Sequence, residues 1–163
     1  ILVIGDSHGN IANIKHVLGF AKHIKCGAVI HTGDWNNLKS LETVFNFNIP
    51  ICTVQGNADI DPKLIKKLKI RSEKFSEDFL KFELVDINFG VVHRFTKDQQ
   101  LMAKGCSVVF TGHYHSQKEW KVDDIKIIRP GALENGINFA IFDTKTKMVE
   151  FINHDKLRRT SQA

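Results

Sequence analysis

Short apolar runs alternate with helix-like segments at the start of the chain, and this alternation restricts the possible folds more than any other feature. The runs have the length and continuous apolarity of strands that are buried on both faces. They occupy residues 1–4, 28–31 and 51–54. Between them, apolar residues repeat at helical spacing, at Ile11, Ile14, Leu18 and Ala21 and again at Leu38, Leu41 and Phe45. The order βαβαβ predicts a parallel sheet with right-handed crossovers.

The second half of the chain has the pattern of antiparallel strands. Short helices are predicted at residues 62–68 and 99–103, and a hairpin at residues 79–84 and 87–93. Further strands are predicted at residues 108–111, 119–122, 125–129, 138–143 and 148–153. We therefore predict an α/β fold, a two-sheet sandwich with a parallel βαβαβ first half, an antiparallel second half and helices on the outer faces. No linker or internal repeat interrupts the sequence, so residues 1–163 are predicted to form a single domain.

Composition narrows the class of protein further. With 42% hydrophobic residues and no apolar run near the roughly 20 residues that cross a bilayer, we expect a cytoplasmic protein without a membrane partner. The three cysteines form no CxxC pair, which argues against a cysteine zinc site. The net charge of +5 would suit an anionic substrate, but Lys and Arg are spread along the chain. Nucleic acid is therefore an open alternative that no basic stripe with interleaved aromatics supports.

A side chain able to bind metal follows each of five predicted strands. These side chains are Asp6 and His8, Asp34, Asn57, His93, and the pair His113 and His115. In open α/β sheets ligands bind beyond the carboxyl ends of the strands, where neighbouring loops converge. Any one of these residues alone would be read as a helix cap or a turn. Their joint occurrence predicts one cluster, whereas the remaining histidines are assigned to packing or to the surface. Those histidines are His16, His23, His31 and His154.

The donor types indicate the chemistry of this cluster. Carboxylate oxygen with imidazole nitrogen, and no thiolate, is typical of Mn²⁺, Fe²⁺, Zn²⁺ or Co²⁺ sites. Seven candidate ligands are enough for two ions. Two ions bridged by a carboxylate and a hydroxide would bind the attacking and the leaving oxygen of a phosphoryl displacement. Two divalent ions, two carboxylates and one hydroxide leave a single positive charge, which a phosphodiester anion would neutralise.

The motif series DxH, GD, GNxD, H and GHxH on a βαβαβ start resembles the calcineurin-like metallophosphoesterase superfamily, in particular its small bacterial and archaeal phosphodiesterases. The resemblance implies a first metal on Asp6, His8, Asp34 and His115. It implies a second metal on Asp34, Asn57, His93 and His113. In this assignment Asp34 is the bridge between the two ions, and Asp59 orients a ligand or a water molecule. The segment RPGALENG, residues 129–136, stands where such proteins carry a PGS-type loop.

The same resemblance implies a reaction and its cofactors. It implies hydrolysis of phosphodiester bonds by a metal-bridging hydroxide, with phosphomonoesters as an open alternative, on a small-molecule or nucleotide phosphoester. Two divalent ions are expected, with Mn²⁺ first and Fe, Zn, Co or Ni as alternatives. A catalytically weak or inactive protein-interaction scaffold, like the retromer subunit of the same fold, is the alternative function. A homodimer paired through late strands also stays open.

Two positions depart from the pattern of this family. Ala58 stands where many members carry the histidine that protonates the leaving oxygen, so we expect a preference for good leaving groups such as aryl phosphodiesters. Arg94 follows the fourth-motif histidine where relatives usually have glycine. Its guanidinium either binds a phosphate oxygen as part of the catalytic set or points to solvent, and the sequence does not choose between these alternatives.

Overall fold

A computed structural model gives the structure of residues 1–153; residues 154–163, and with them the prediction for His154, lie outside the described part. The helices are α1 (Ile11–His23), α2 (Leu38–Phe45), α3 (Pro62–Arg71) and α4 (Lys97–Met102). The first strands are β1 (Leu2–Ile4), β2 (Val29–His31), β3 (Ile51–Val54), β4 (Lys74–Ser76), β5 (Phe79–Leu84) and β6 (Ile87–Val92). The others are β7 (Val108–Thr111), β8 (Gln117–Val122), β9 (Ile125–Pro130), β10 (Phe139–Phe142) and β11 (Val149–Ile152). None of the helices in this part combines the length and apolar composition needed to span a bilayer.

The first sheet contains the predicted parallel start. Its strand order is β11-β10-β1-β2-β3-β4, with β1, β2, β3 and β4 parallel and β10 antiparallel to β1. Strand β4 was not predicted. Its sequence KFS contains no apolar run that would indicate a strand. The strand lies at the edge of the sheet, where none of its three residues is buried and Lys74 is exposed.

The second sheet has the order β5-β6-β7-β9-β8. Its outer pairs β5–β6 and β8–β9 are antiparallel, as predicted, but β6–β7 and β7–β9 are parallel. Helix α4 connects β6 to the parallel strand β7. Strand β8 lies at the edge of the sheet, and β9 lies between β8 and β7 and runs parallel to β7. The α/β two-sheet class is confirmed, and the second sheet is mixed. As a result, the carboxyl ends of β6, β7 and β9 lie at one end of this sheet.

Alternating side chains divide the core into layers. Leu2 and Ile4 face the helices α1, α2 and α3, whereas Val3 between them faces the second sheet. Between the sheets, the rings of Phe89, Phe110 and Phe142 pack with centroids 5.7 Å apart. Burying each such ring stabilises the fold by roughly 1.5–3 kcal/mol. The outer face of the second sheet carries a third cluster, which includes Ala103 directly after α4. Residues of α1, α2 and α3 pack on the outer face of the first sheet, as predicted.

Helix caps fix the loops that follow the parallel strands. The side chain of Asn10 accepts the N–H of Asn13 at 3.1 Å, and that of Asn37 accepts the N–H of Ser40 at 3.0 Å. Each cap satisfies a backbone N–H that the first helical turn leaves unpaired. The chain therefore enters α1 and α2 directly from the loops that carry the first two motifs, which gives those loops fixed ends.

Candidate metal centre

Asp34 lies at the centre of the predicted ligand cluster. Its carboxylate, on a residue only 2% exposed, follows strand β2. The Oδ2 atom is 3.4 Å from Nε2 of His8 and 3.4 Å from Nε2 of His93. These two histidines belong to the two different sets of ligands that the motifs predict. One carboxylate oxygen thus faces a histidine of each set, which is the position of a ligand shared through a single oxygen.

Asp6 connects two groups of side chains with metal-binding geometry. Ligand atoms of Asp6, His8 and His115 lie within 4.8 Å of one another, and so do those of Asp6, Asp34 and His93. The Nε2 atom of His115 is 3.6 Å from Oδ1 of Asp6. The structure therefore brings together residues from the ends of four strands in both sheets.

The amide of Asn57 faces two imidazoles. Its Oδ1 is 2.8 Å from Nε2 of His93 and 3.0 Å from Nδ1 of His113, and these two nitrogens are 3.3 Å apart. Ligands at about 2.1 Å from one ion, and at right angles, lie about 3 Å from each other. The three atoms have the spacing of adjacent ligands on a single ion, so the second predicted ligand set is also brought together.

The backbone of the cluster is in a left-handed conformation at most of its ligands. Positive φ angles of 40° to 71° occur at Asp6, His8, Asp34, His113 and His115. Each costs on the order of 1 kcal/mol for a residue with a Cβ atom, and such outliers concentrate at functional sites. The turns aim these side chains back across the strand ends, which explains how both histidines of GHYH reach the same centre.

Backbone groups orient the ligands. Nδ1 of His93 lies 2.9 Å from the carbonyl oxygen of Thr32, which only accepts, so Nδ1 donates and the lone pair of Nε2 faces the cluster. The N–H of His113 donates to both oxygens of Asp6 at 3.0 and 3.1 Å. The N–H of Ala58 donates to Oδ1 of Asp34 at 2.8 Å, leaving Oδ2 for the cluster.

Asp59 holds two of the loops together. Its buried carboxylate accepts the backbone N–H groups of Asp34 at 3.0 Å, Asn36 at 2.8 Å and Gly56 at 2.9 Å. Burial raises the pKa of this carboxyl, while hydrogen bonds from Asn36 and Gly56 act in the opposite direction. Asp59 therefore holds the Asp34 loop through backbone hydrogen bonds, and its role in orienting a ligand or a water molecule stays a prediction.

The electrostatics of the cluster favour a cation. Burial, and secondly the charge of Asp34, raise the pKa of Asp6 to about 8. Within residues 1–153 neither carboxylate forms an ion pair with a lysine or an arginine. Two neighbouring buried carboxylates that lack a basic partner are stabilised by a metal ion. The donor set, carboxylate and amide oxygens with imidazole nitrogens, fits divalent ions of the Mn²⁺ to Zn²⁺ series.

Comparison with known proteins agrees with this geometry. The sequence model of the calcineurin-like phosphoesterase superfamily domain matches residues 1–147. The chain belongs to the calcineurin-like phosphoesterase superfamily. It is 31% identical over 154 residues to phosphodiesterase MJ0936 of Methanocaldococcus jannaschii, covering 89% of this chain and 93% of the relative. The resemblance predicted from the motifs is confirmed, and a phosphoester hydrolase is confirmed at the level of the family.

Solved structures show the same architecture. The structure of a novel archaeal phosphodiesterase matches with a TM-score of 0.82 at 27% identity, covering 93% of this chain and 98% of the other. Vacuolar protein sorting 29 from Cryptosporidium parvum matches with a TM-score of 0.63 at 16% identity, covering 93% and 94% of the two chains. At that identity the second likeness concerns the fold alone.

In this superfamily member His31 has more than the packing role that the sequence suggested. The ring is fully buried and stacks on Trp35 with centroids 3.6 Å apart. Its Nδ1 accepts the N–H of Gly33 at 3.2 Å, so Nε2 carries the proton and donates to Oγ of Ser7 at 3.1 Å. The Ser7 hydroxyl donates to the carbonyl of Asp34 at 3.3 Å. This series of hydrogen bonds links the loop after β1 to the loop after β2, and these loops carry the first two motifs.

Glu134 was missed as a site residue. Its Oε2 lies 3.6 Å from Nδ1 of His115, and its backbone N–H donates to the carbonyl of Asp6 at 3.0 Å. The side chain of Asn10 donates to the carbonyl of Glu134 at 2.7 Å. The sequence feature that could have indicated Glu134 was the loop RPGALENG. That its carboxylate lies next to His115 follows only from the placement of β9 parallel to β7. The Glu134 carboxylate thus lies near Nδ1 of His115, the ring nitrogen that does not face Asp6.

Arg94 lies outside the ligand cluster. Its side chain is exposed, and its Nε donates to the hydroxyl of Tyr114 at 3.3 Å. Tyr114 is itself 53% exposed and lies between His113 and His115 in the sequence. Arg94 is therefore at the rim of the centre, held by an aromatic ring that the sequence analysis had not singled out. A catalytic role for Arg94 stays a prediction.

Proposed function

We propose that this protein is a metal-dependent phosphodiesterase with two divalent ions at the cluster around Asp34. The observation that carries the proposal is the position of Asp34 Oδ2, which is 3.4 Å from a histidine nitrogen of each ligand set. The likeness to a phosphodiesterase at 31% identity over most of both chains supports the same reaction. No comparable observation favours a protein-interaction scaffold, because every predicted ligand is of a metal-binding type and converges on one centre.

The ligand assignment is the one that the family resemblance implies, and the contacts of Asp34 and Asn57 support it. Asp6, His8, Asp34 and His115 would hold the first ion, and Asp34, Asn57, His93 and His113 the second. When bound, divalent ions lower the pKa of water and neutralise charge on phosphate oxygens. Mn²⁺ is the first expectation and Fe, Zn, Co or Ni are alternatives, since the donors are oxygen and nitrogen without thiolate.

The chain's own residues have three tasks in this reaction. Asp6 and Asp34 supply the negative charge that offsets the ions. The imidazoles, among them His93 oriented by the Thr32 carbonyl, supply neutral donors. Asp59 keeps the Asp34 loop in register through backbone hydrogen bonds. Ala58 offers no proton to the leaving oxygen, so water must protonate it. Substrates with acidic leaving groups are therefore favoured.

The proposal is tested by metal analysis together with hydrolysis of bis-p-nitrophenyl phosphate in Mn²⁺. We expect two ions per chain and a fall in kcat/KM of about 100-fold or more in Asp34→Asn, because the bridge loses its charge. Asp86→Asn is the matched control, since Asp86 is an exposed turn residue that shares the positive φ of Asp34. Fewer than two bound ions, together with equal activity of Asp34→Asn and wild type, would refute the proposal.

A further inference from the structure

A row of cations and aromatic rings, some exposed and some half-buried, begins at the rim of the metal centre. We call it the cation–aromatic strip, formed by Arg94, Tyr114, Lys118, Trp120 and Arg129. The guanidinium carbon of Arg94 lies 5.9 Å from the centroid of the Tyr114 ring, and that of Arg129 lies 5.2 Å from it. Tyr114 is 53% exposed. The Tyr114 ring thus borders the centre and has two cations nearby, Arg94 in the loop after β6 and Arg129 in β9.

The strip continues along the outer face of the second sheet. The guanidinium carbon of Arg129 is also 5.7 Å from the centroid of the Trp120 ring, and Nζ of Lys118 is 5.4 Å from it. Phe95 supports Trp120 from the side with ring centroids 6.5 Å apart. Aromatic rings and cations therefore alternate over strands β8 and β9, outward from the two histidines that flank Tyr114.

The charges of the strip are arranged in a way that disfavours the fold. Lys118 and Arg129 are direct cross-strand partners in the antiparallel pair β8–β9. Like charges directly opposite each other destabilise a sheet. On the other face of the same pair Lys121 is opposite Lys126, but there Glu119 lies 3.0 Å from Lys126 and neutralises it. Among residues 1–153, no carboxylate forms an ion pair with the cations of the strip.

The strip adjoins the ligands. The Tyr114 ring packs edge-on against the His113 ring at 4.9 Å, and Arg94 follows His93 in the chain. A phosphodiester held at the centre would therefore have one of its ester arms on the strip.

We infer that the strip binds the nucleoside arm of the substrate, so that the substrate is a nucleotide phosphodiester. A base stacks on Tyr114 or Trp120, and a neighbouring phosphate pairs with the unneutralised arginines and lysine. Alternating aromatics and cations bind nucleotide chains in this way, because every base offers a π face and every linkage a negative charge. The inference rests on the proposed function, since it names the substrate class of the same centre.

The kinetic test uses two diesters with the same leaving group. Thymidine 5′-(p-nitrophenyl phosphate) and methyl p-nitrophenyl phosphate both release p-nitrophenolate and differ only in the arm that the strip would hold. We expect the thymidine diester to have a kcat/KM higher by about tenfold or more, the effect of one stacked base. Tyr114→Leu and Trp120→Leu should reduce this ratio, and Tyr114→Phe should preserve it because the ring remains.

The binding test needs no metal. Labelled hexathymidylate should bind the metal-free protein at least about tenfold more tightly than an abasic chain of equal length. Lys118→Gln should reduce the salt dependence of binding, whereas Lys121→Gln, on the opposite face of β8, should not. Preference for the thymidine diester without hexathymidylate binding would support the strip as a site for single nucleotides.

The outcomes separate the two proposals. Hydrolysis of the methyl diester without a thymidine preference, together with equal binding of the base-bearing and abasic chains, would overturn the strip and leave the phosphodiesterase intact. No hydrolysis of either diester would count against the phosphodiesterase, and the binding comparison would then decide on the strip alone. If the protein bound the abasic chain as tightly as hexathymidylate, it would recognise only the charge of the chain, which also contradicts the inference.

Discussion

Ala58 lies beside Asp34, where many members of the family carry a histidine that protonates the leaving oxygen. Its N–H holds Asp34, but its side chain carries no proton for the leaving oxygen. We predict that the rate of diester hydrolysis falls steeply as the pKa of the leaving group rises. Ala58→His should raise the rate on alkyl diesters by up to about 10²-fold and change that on aryl diesters little.

A series of diesters with graded leaving groups checks this prediction. Ala58→Gln is the matched control, because it adds comparable bulk and a polar end without a group that titrates near neutral pH. A wild-type rate that is independent of the leaving group, or equal gains from the Gln and His variants, would contradict the role assigned to position 58.

His31 makes the stability of the metal-free protein depend on pH. Burial, with the neighbouring His93 and His8, lowers the pKa of His31 well below its usual range. Below about pH 6.5 the unfolded chain therefore binds a proton that the folded protein does not, so stability falls as the pH falls. His31→Gln should reduce this slope by up to about 1.4 kcal/mol per pH unit, as measured by denaturant unfolding in a chelator.

The control for His31 is an exposed histidine of the same chain. His16 lies on the solvent side of α1, and His16→Gln should leave the pH slope unchanged. The Gln amide at position 31 has an oxygen for the Gly33 N–H and an N–H for Ser7, so its hydrogen bonds persist. A wild-type slope retained in His31→Gln would assign the pH dependence to other groups.

The loops after β2 and β3 approach more closely than a side chain at their contact allows. A Cβ atom on Gly56 would lie 2.1 Å from Oδ1 of Asp34 and 2.2 Å from its backbone nitrogen. Gly56→Ala must therefore separate the two loops, and we predict a loss of roughly 1–3 kcal/mol in unfolding free energy together with weaker metal binding. Denaturant unfolding and Mn²⁺ titration measure the two effects.

Gly19 provides the opposite case. It lies inside α1, and a Cβ atom there would meet nothing within 4 Å. Gly19→Ala should stabilise the protein by up to about 1 kcal/mol and leave metal binding unchanged, because helix propensity is its only effect. If both glycine variants changed stability alike, the close approach of the two loops would not be the cause.

Bound metal should stabilise the molecule as a whole. The ligands come from five loops, from Asp6 to His115, and join the ends of both sheets. At a Mn²⁺ concentration about 100-fold above its Kd, we predict a rise in Tm of about 5–10 °C over the chelated protein. Calorimetry with Asp34→Asn should show a much smaller rise and Asp86→Asn the full rise, whereas equal shifts in both variants would place the stabilising ion elsewhere.

Much of this fold and centre could be predicted from the pattern of residues along the chain. The βαβαβ start, the five strand ends and the predicted ligands follow from local periodicity and from the rule that parallel strands share a carboxyl edge. The prediction was incomplete at β4, whose edge position requires no apolar run, and at β9, whose direction depends on which strand it joins. Local sequence does not encode that choice, since it is made by the hydrogen-bonding partner.

Sequence alone determined which side chains are available for a metal centre, because ligand chemistry and strand ends are local properties. Tertiary structure decided which distant segments face one another. It placed Asp59 beside the backbone of the Asp34 loop, Glu134 near His115, and both Arg94 and Arg129 close to the ring of Tyr114. In the sequence the basic residues are dispersed, and only the pairing of β8 with β9 and the approach of the loop after β6 bring them together with the rings of Tyr114 and Trp120. Such contacts arise from packing over long separations, which no local pattern of residues records.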